Sequence, residues 1–195
     1  TAYIGLRPHT TSQQAIQFMR DVHFETDIPY YLFVVDRHKR LVGVTGLREL
    51  VIASPTATMD QIMDTEVVSI SADADQEEAA RIMADHRISS LPVMRDGRLV
   101  GIITETDLFH IFLELMGGRE EGVRLTMLVP EERGILASLT SEIAQMGGNI
   151  LALGTFQGED PTNRMVTVKV SDAPTDKLVA IMEALGMEIV DVREG

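Results

Sequence analysis

The sequence predicts a mixed α+β protein made of two βαββα repeats followed by a βαββαβ unit, and three observations predict it. First, Arg-Leu-Val-Gly occurs at 40–43 and again at 98–101, each time running into a helix start, and a recurring segment of this kind marks a duplicated supersecondary unit. Second, Val123, Leu125, Met127 and Val129 alternate with Arg124 and Thr126, after which Ile135, Leu136, Leu139, Ile143 and Met146 recur at helical spacing. The hydrophobic period thus switches from 2 to 3.6, as from a half-buried strand to an amphipathic helix. Third, Gly117-Gly118 and Gly147-Gly148 stand where helices should end, since glycine is the usual C-terminal cap.

Taken in order, repeat one opens with a strand end and polar turn, Leu6-Arg7-Pro8, and an amphipathic helix to Met19. Repeat two opens the same way from Ile70-Ser71-Ala72 to Met83, aligning Ala15 with Ala79, Met19 with Met83 and Asp21 with Asp85. An apolar strand follows, Leu32 to Asp36 or Leu91 to Met94, then a polar turn, Arg37-His38-Lys39 or Arg95-Asp96-Gly97. The offset is 64 from Leu6 to Ile70 and 58 from Gly43 to Gly101, so repeat one is expected to carry about six extra residues around His23 to Tyr30. Met59 to Asp64 reads as a short helix leading into repeat two. Thr1 aligns with Thr65, so a counterpart of that helix would precede Thr1.

Each repeat closes on a strand that empties into a helix. In repeat two this is Leu99 to Ile103, with Thr104 as N-cap and Asp107 three residues on, close to a capping box. In repeat one Gly46 and Glu49 hold the matching places. Free N–H groups and the helix dipole favour anions there. A hydroxyl and a carboxylate three residues apart can take the two hydroxyls of a ribose, or can simply cap the helix. Phe109, Phe112, Leu113 and Met116 extend that last helix, and Arg119 to Gly122 reads as a charged link.

In the final unit, Pro130 to Gly134 is a turn, Asn149 to Phe156 a second strand and Arg164 to Val170 a third, joined by the polar loop Gln157 to Asn163. Leu178, Ile181, Met182 and Leu185 space a second helix, and Met187 to Val192 the last strand. The expected boundaries are 1–57 and 58–116 for the repeats, 117–121 for the link and 122–195 for the final unit.

The 195 residues are 45% hydrophobic, enough for a packed core. The net charge of −13 is spread over both halves and argues against nucleic acid and anionic membrane surfaces as partners. With no cysteine there is no disulfide framework, thiolate metal site or thiol nucleophile. No apolar run approaches the roughly 18 residues of a membrane span and no signal peptide is visible, so a soluble cytoplasmic chain without direct membrane contact is expected. Phosphate-loop, dinucleotide, metalloprotease and nucleophile-elbow motifs are missing, and the histidines at 9, 23, 38, 86 and 110 are scattered. A non-enzyme with no obligatory cofactor and no resident metal site is expected.

Over residues 1–116 the duplicated order, Ile88-Ser89-Ser90-Leu91-Pro92-Val93 and the Gly-x-x-Thr-x-x-Asp at 101–107 resemble a CBS-domain pair, the Bateman module. Tyr30 to Asp36, Leu47 to Leu50 and Asp75 to Arg81 look most like the cytosolic CBS region of MgtE-type magnesium transporters, and repeat two after Arg87 like CBS–ACT acetoin-utilisation-type regulators. The resemblance implies two clefts. One would use Thr104 and Asp107 with Ile4, Leu6, Tyr31 and Phe33, and the other Gly46, Arg48 and Glu49 with Val68, Ile70, Ile88, Ser89 and Pro92. Arg48 and Arg87 could pair with phosphates. The implied ligand is an adenine nucleotide, AMP, ADP or ATP.

The βαββαβ order with Pro-x-x-x-Gly-Ile-Leu at 130–136 and Gly147-Gly148-Asn149-Ile150 is similar to a ferredoxin-like ACT domain, although Arg133 precedes Gly134 where that family usually has proline. The similarity implies side-by-side pairing of chains into a homodimer or larger homo-oligomer. It also implies an amino-acid site made by Glu131, Glu132, Arg133, Gly134 and Ile135 with Asn149, Ile150 and Leu151 of a neighbour. A regulatory ligand-sensing module is therefore expected. The alternative is a magnesium-responsive structural module of a larger protein, in which divalent ions relieve repulsion among Asp60, Asp64, Glu66, Asp73 and Asp75.

Overall fold

A computed structural model describes residues 5–21, 30–158 and 160–195. It divides into two compact units, Thr1–Leu108 and Phe109–Gly195.

In the first unit, repeat one consists of β1 (Gly5–Leu6), α1 (Ser12–Asp21), β2 (Tyr31–Val35), β3 (Leu41–Gly46) and α2 (Leu47–Ile52). After α3 (Met59–Ile62), repeat two consists of β4 (Ile70–Ser71), α4 (Gln76–His86), β5 (Ser90–Arg95), β6 (Arg98–Thr104) and the start of α5 (Glu105–Leu115). The two sheets have the same topology: the short first strand lies parallel to the second, which pairs antiparallel with the third. Repeat one aligns β1-β2-β3, and repeat two β4-β5-β6.

Register corrects one expectation. Val34 faces Gly43 as Val93 faces Gly101, so β2 and β5 are offset by 59 rather than 58. Five extra residues precede β2, and the sixth lies in the hairpin turn. Repeat two turns on Asp96 (φ 49°) and Gly97 (φ 71°), the two positive dihedrals of a tight hairpin. Repeat one makes a longer turn in which Asp36 Oδ1 accepts from the His38 amide at 2.8 Å and the Arg40 amide at 2.9 Å. Such self-bonding of Asp is the usual device for a polar turn.

The segment before β4 packs outside its own repeat. Met59 is fully buried in the core of repeat one with Leu6, Ala15, Leu32, Val34 and Leu50. The Met59 amide donates to the Thr10 carbonyl, and Asp64 exchanges backbone hydrogen bonds with Val44. Residues 58–64, assigned to repeat two by position in the chain, are therefore packed with repeat one. The two sheets are joined by Phe33, Val35, Val44, Leu99, Met94 and Ile102 and by the Leu99 amide donating to the Lys39 carbonyl at 3.1 Å.

In the second unit, β7 (Val123–Pro130), α6 (Ile135–Gln145), β8 (Asn149–Gln157), β9 (Asn163–Ser171), α7 (Thr175–Ala184) and β10 (Glu188–Glu194) follow in the expected βαββαβ order. The sheet runs β10-β7-β9-β8 with antiparallel neighbours throughout. Each helix thus connects two parallel strands with a third strand between them. Leu125, Met127, Val129, Val166, Val168 and Val170 pack against Leu139, Ile143, Leu178 and Met182. Residues 116–121 are seated on this unit, with Gly117 buried and Arg124 Nη2 donating to the Met116 carbonyl at 2.7 Å. The charged link thus lies with the second unit, and the division falls within α5, at Leu108/Phe109. Among the described residues no helix is long and apolar enough to cross a membrane.

Candidate functional site

β6 delivers Thr104 to the first turn of α5, and there a complete box forms. Asp107 Oδ2 accepts from the Thr104 amide at 2.8 Å and from Thr104 Oγ1 at 2.7 Å, while the Asp107 amide donates back to Thr104 Oγ1 at 3.2 Å. Both residues are half-buried. The box holds the carboxylate at the positive end of an 11-residue helix, with its geometry set by short charge-assisted bonds.

Repeat one builds the equivalent corner differently. The first helical amide is anchored alike in both, Leu47 to the Tyr30 carbonyl at 2.9 Å and Glu105 to the Ser89 carbonyl at 3.1 Å. Gly46 has no side chain to cap α2, which runs only six residues. The Glu49 carboxylate folds back into the space that a Gly46 side chain would take. A longer acid thus fills the gap left by a missing hydroxyl.

The remaining residues implied for the clefts separate into two groups. Arg48, Glu49 and Arg87 are exposed, and Tyr31, Val68, Ile88 and Ser89 are half-buried. Leu6, Phe33, Ile70 and Pro92 are buried; Leu6 and Ile70 serve the cores of their own repeats, and Phe33 the contact between sheets. Leu6, Ile70 and Phe33 thus have packing roles, and Pro92 is buried on β5. Ile4 lies outside the described residues. Arg87 ends α4 in the left-handed region (φ 54°), and the Ile88 amide closes the cap on the Met83 carbonyl at 3.1 Å. Glycine is the preferred residue at such a cap; here an arginine closes it, with its side chain exposed.

The acidic residues of the magnesium alternative do not converge. Asp75 caps α4 through the Glu78 amide at 2.8 Å, Asp64 accepts from the Glu66 amide at 2.9 Å, and Asp73 pairs with Arg95 at 3.7 Å. Among the described residues no three His, Asp or Glu side chains group closely enough to hold a metal ion.

In the second unit a cavity of about 260 Å³ opens beneath the first turn of α6, lined by Glu131, Glu132, Gly134 and Ile135 among others. Gly134 (φ 91°) is the N-cap and offers no side-chain cap. Arg133 does not line the cavity; Thr155 and Arg164 do. Arg164 Nε donates to Glu131 Oε2 at 2.6 Å, and this bond, then the Glu131 charge, raise the guanidinium's pKa. The sequence carried a signal for Arg164. Facing the helices, β9 presents Val170, Val168, Val166 and then Arg164, so a cation stands where the alternation calls for a fourth valine. Leu151 lies instead beside Gly117 and Gly122, at the start of β7, whereas the cavity is at its end. One chain therefore does not bring Asn149, Ile150 and Leu151 to the turn.

Comparison with known proteins accounts for the first unit. A CBS domain is recognised over residues 59–114. Magnesium transporter MgtE of Thermus thermophilus is 40% identical over 110 residues, 56% of this chain and 24% of that protein. Hypoxic response protein 1 of Mycobacterium tuberculosis is 30% identical over 107 residues, 51% of this chain and 71% of that protein. The chain spans about a quarter of the magnesium transporters it matches. Among solved structures, the cytosolic domain of the Mg²⁺ channel MgtE in complex with ATP superimposes with a TM-score of 0.53 at 40% identity, covering 56% of this chain and 44% of that one. The acetoin utilization protein AcuB from Vibrio cholerae gives 0.51 at 28% identity, covering 60% of this chain and 88% of that one. With two sheets of one topology and register and the helix-start box closing repeat two, the chain belongs to the CBS-domain family and its first unit is a CBS-domain pair.

Proposed function

We propose that the chain is a cytoplasmic regulatory module that binds an adenine nucleotide in the CBS pair and transmits its occupancy through the second unit, without catalysing a reaction. The observation that carries this reading is the Thr104–Asp107 box: it fixes a carboxylate at a helix N-terminus, where a ribose diol can donate to it. The similarity to a transporter domain solved with ATP supports the same ligand class. In this reading Tyr31 contributes to the wall of the Thr104–Asp107 cleft and magnesium enters with the nucleotide, while Arg48, Val68, Ile88 and Ser89 belong to the other cleft, where Arg48 and Arg87 would meet the phosphates of any second nucleotide.

The second unit is read as a ferredoxin-like ACT domain, supported by its βαββαβ order and its β10-β7-β9-β8 sheet. It pairs with a second copy. The turn at 131–135, joined by the partner copy's 149–151 segment, takes a small amino acid. The cavity is smaller than the roughly 300–1,000 Å³ typical of drug-sized ligands, which suits such a ligand and not a nucleotide. The magnesium-responsive reading draws on the likeness to MgtE alone, because the carboxylates it needs stand apart.

Thermal unfolding of the protein with AMP, ADP, ATP or Mg²⁺ alone tests the proposal, because a ligand that prefers the folded state raises the melting point. The reading requires a nucleotide response. A response to Mg²⁺ and to no nucleotide would replace it with the alternative.

A further inference from the structure

We propose that Lys169 and Arg124 form a latch that locks the C-terminal end of α5 onto the second unit, so that α5 passes the state of its first turn to the β7–β10 sheet. The transmission rests on the nucleotide reading above; the latch itself does not.

Lys169 is 5% exposed, a rare condition for a lysine unless its ammonium is well bonded. Its Nζ donates to the Gly117 carbonyl at 3.1 Å and to the Glu120 carbonyl. Arg124, on the neighbouring strand, donates to the Met116 carbonyl at 2.7 Å. Two cations thus take backbone carbonyls of the segment that follows α5, beside a helix C-terminus whose dipole favours positive charge.

The rest of the segment is shaped for this seat. Gly117 adopts φ 59°, with Ala152, Leu151 and the Lys169 stem in contact range of any side chain there. Ala152, directly opposite Lys169 in the sheet, is small enough to admit it. The Gly118 amide returns to the Leu113 carbonyl at 2.7 Å, and Gly122 exchanges hydrogen bonds with Gly195. Met116, Gly117, Gly118, Glu120 and Gly122 are therefore each tied by at least one hydrogen bond. The N-terminus of the same helix carries Asp107. A helix fixed at one end and carrying a ligand-sensitive box at the other is a physical element that both ends can bias.

Hydrogen exchange on the full chain tests the latch. In Lys169→Met, exchange of segment 116–121 is expected to rise at least tenfold, while 163–168 and α6 keep their wild-type protection. Arg124→Gln should give a smaller rise in the same segment and serves as the readout should Lys169→Met not fold. Unchanged exchange at 116–121 in a folded variant overturns the latch. In the second arm, ATP should slow exchange across 109–121 in wild type but not in Lys169→Met that still binds ATP. ATP binding to wild type without any change there overturns the transmission. Failure of wild type to bind ATP defeats the nucleotide reading and removes the transmission with it, while the first arm still judges the latch.

Discussion

The Glu49 carboxylate occupies the position above Gly46 that a side chain would fill, whereas at the matching corner of repeat two the Asp107 carboxylate is bonded to a threonine hydroxyl. One duplication has thus produced one complete box and one self-filled corner. The expected consequence is a stoichiometry of one nucleotide per chain by calorimetric titration. The double variant Gly46→Thr, Glu49→Asp restores the box in repeat one and should raise it toward two. Two equivalent sites in wild type would contradict the distinction between the corners.

Thr45 should improve the protein when it loses its hydroxyl. It is 1% exposed on β3, and its Oγ1 has no hydrogen-bond partner among the described residues. A buried unsatisfied polar group costs about 1–3 kcal/mol. Thr45→Val keeps the shape and is expected to stabilise the first unit by about 1 kcal/mol in denaturant unfolding. A loss of stability would mean that the hydroxyl is bonded in solution.

Gly122 is tested in the other direction. A Cβ there would sit 2.7 Å from the Val170 carbonyl oxygen, a backbone atom of a central strand that cannot step aside. Gly122→Ala should cost roughly 1–3 kcal/mol, the range for overpacking, confined to unfolding of the second unit. Wild-type stability would show that the strand gives way.

The turn of repeat one supplies a pH dependence. Bonds from the Arg40 amide, then the His38 amide, hold the Asp36 pKa below its ordinary 3.8. A carboxylate depressed in the folded state adds stability that is full above its unfolded value and is lost as pH falls through the folded one. The drop in melting temperature between pH 7 and pH 3 should therefore be smaller in Asp36→Asn than in wild type. Equal drops would contradict this.

Much of this fold was legible in the sequence, because it is written in periods. The Val123–Val129 alternation, the spacing from Ile135 to Met146 and the recurrence of Arg-Leu-Val-Gly each report one local geometry, and the strands and helices fall where those periods put them. Thr104 and Asp107 were legible for the same reason, since a capping box is local. What escaped depends on contacts between distant residues. Met59 looks like the start of repeat two but is buried in repeat one. The sixth inserted residue is visible only once Val34 and Val93 are seen facing their glycines. Arg164 enters the cavity because the start of β9 lies under α6, and Lys169 is buried because the chain after α5 folds over it. Of these placements only Arg164 left a trace in the periods, as a cation in line with Val166, Val168 and Val170; period and spacing say nothing of the others.

The central claim concerns Asp107, and the affinity and stability of a single variant test it together. If Asp107 accepts a ribose diol, Asp107→Ala should weaken ATP binding by roughly 1.5–3 kcal/mol, the range for hydrogen bonds to a charged group, beyond any loss of folding stability. If the box is only a cap, the variant should lose about 0.5–2 kcal/mol of stability with affinity per folded molecule unchanged. Calorimetric titration of ATP into folded Asp107→Ala, with its denaturant unfolding measured in the same buffer, separates the two: weakened binding is predicted, and wild-type affinity would contradict the account.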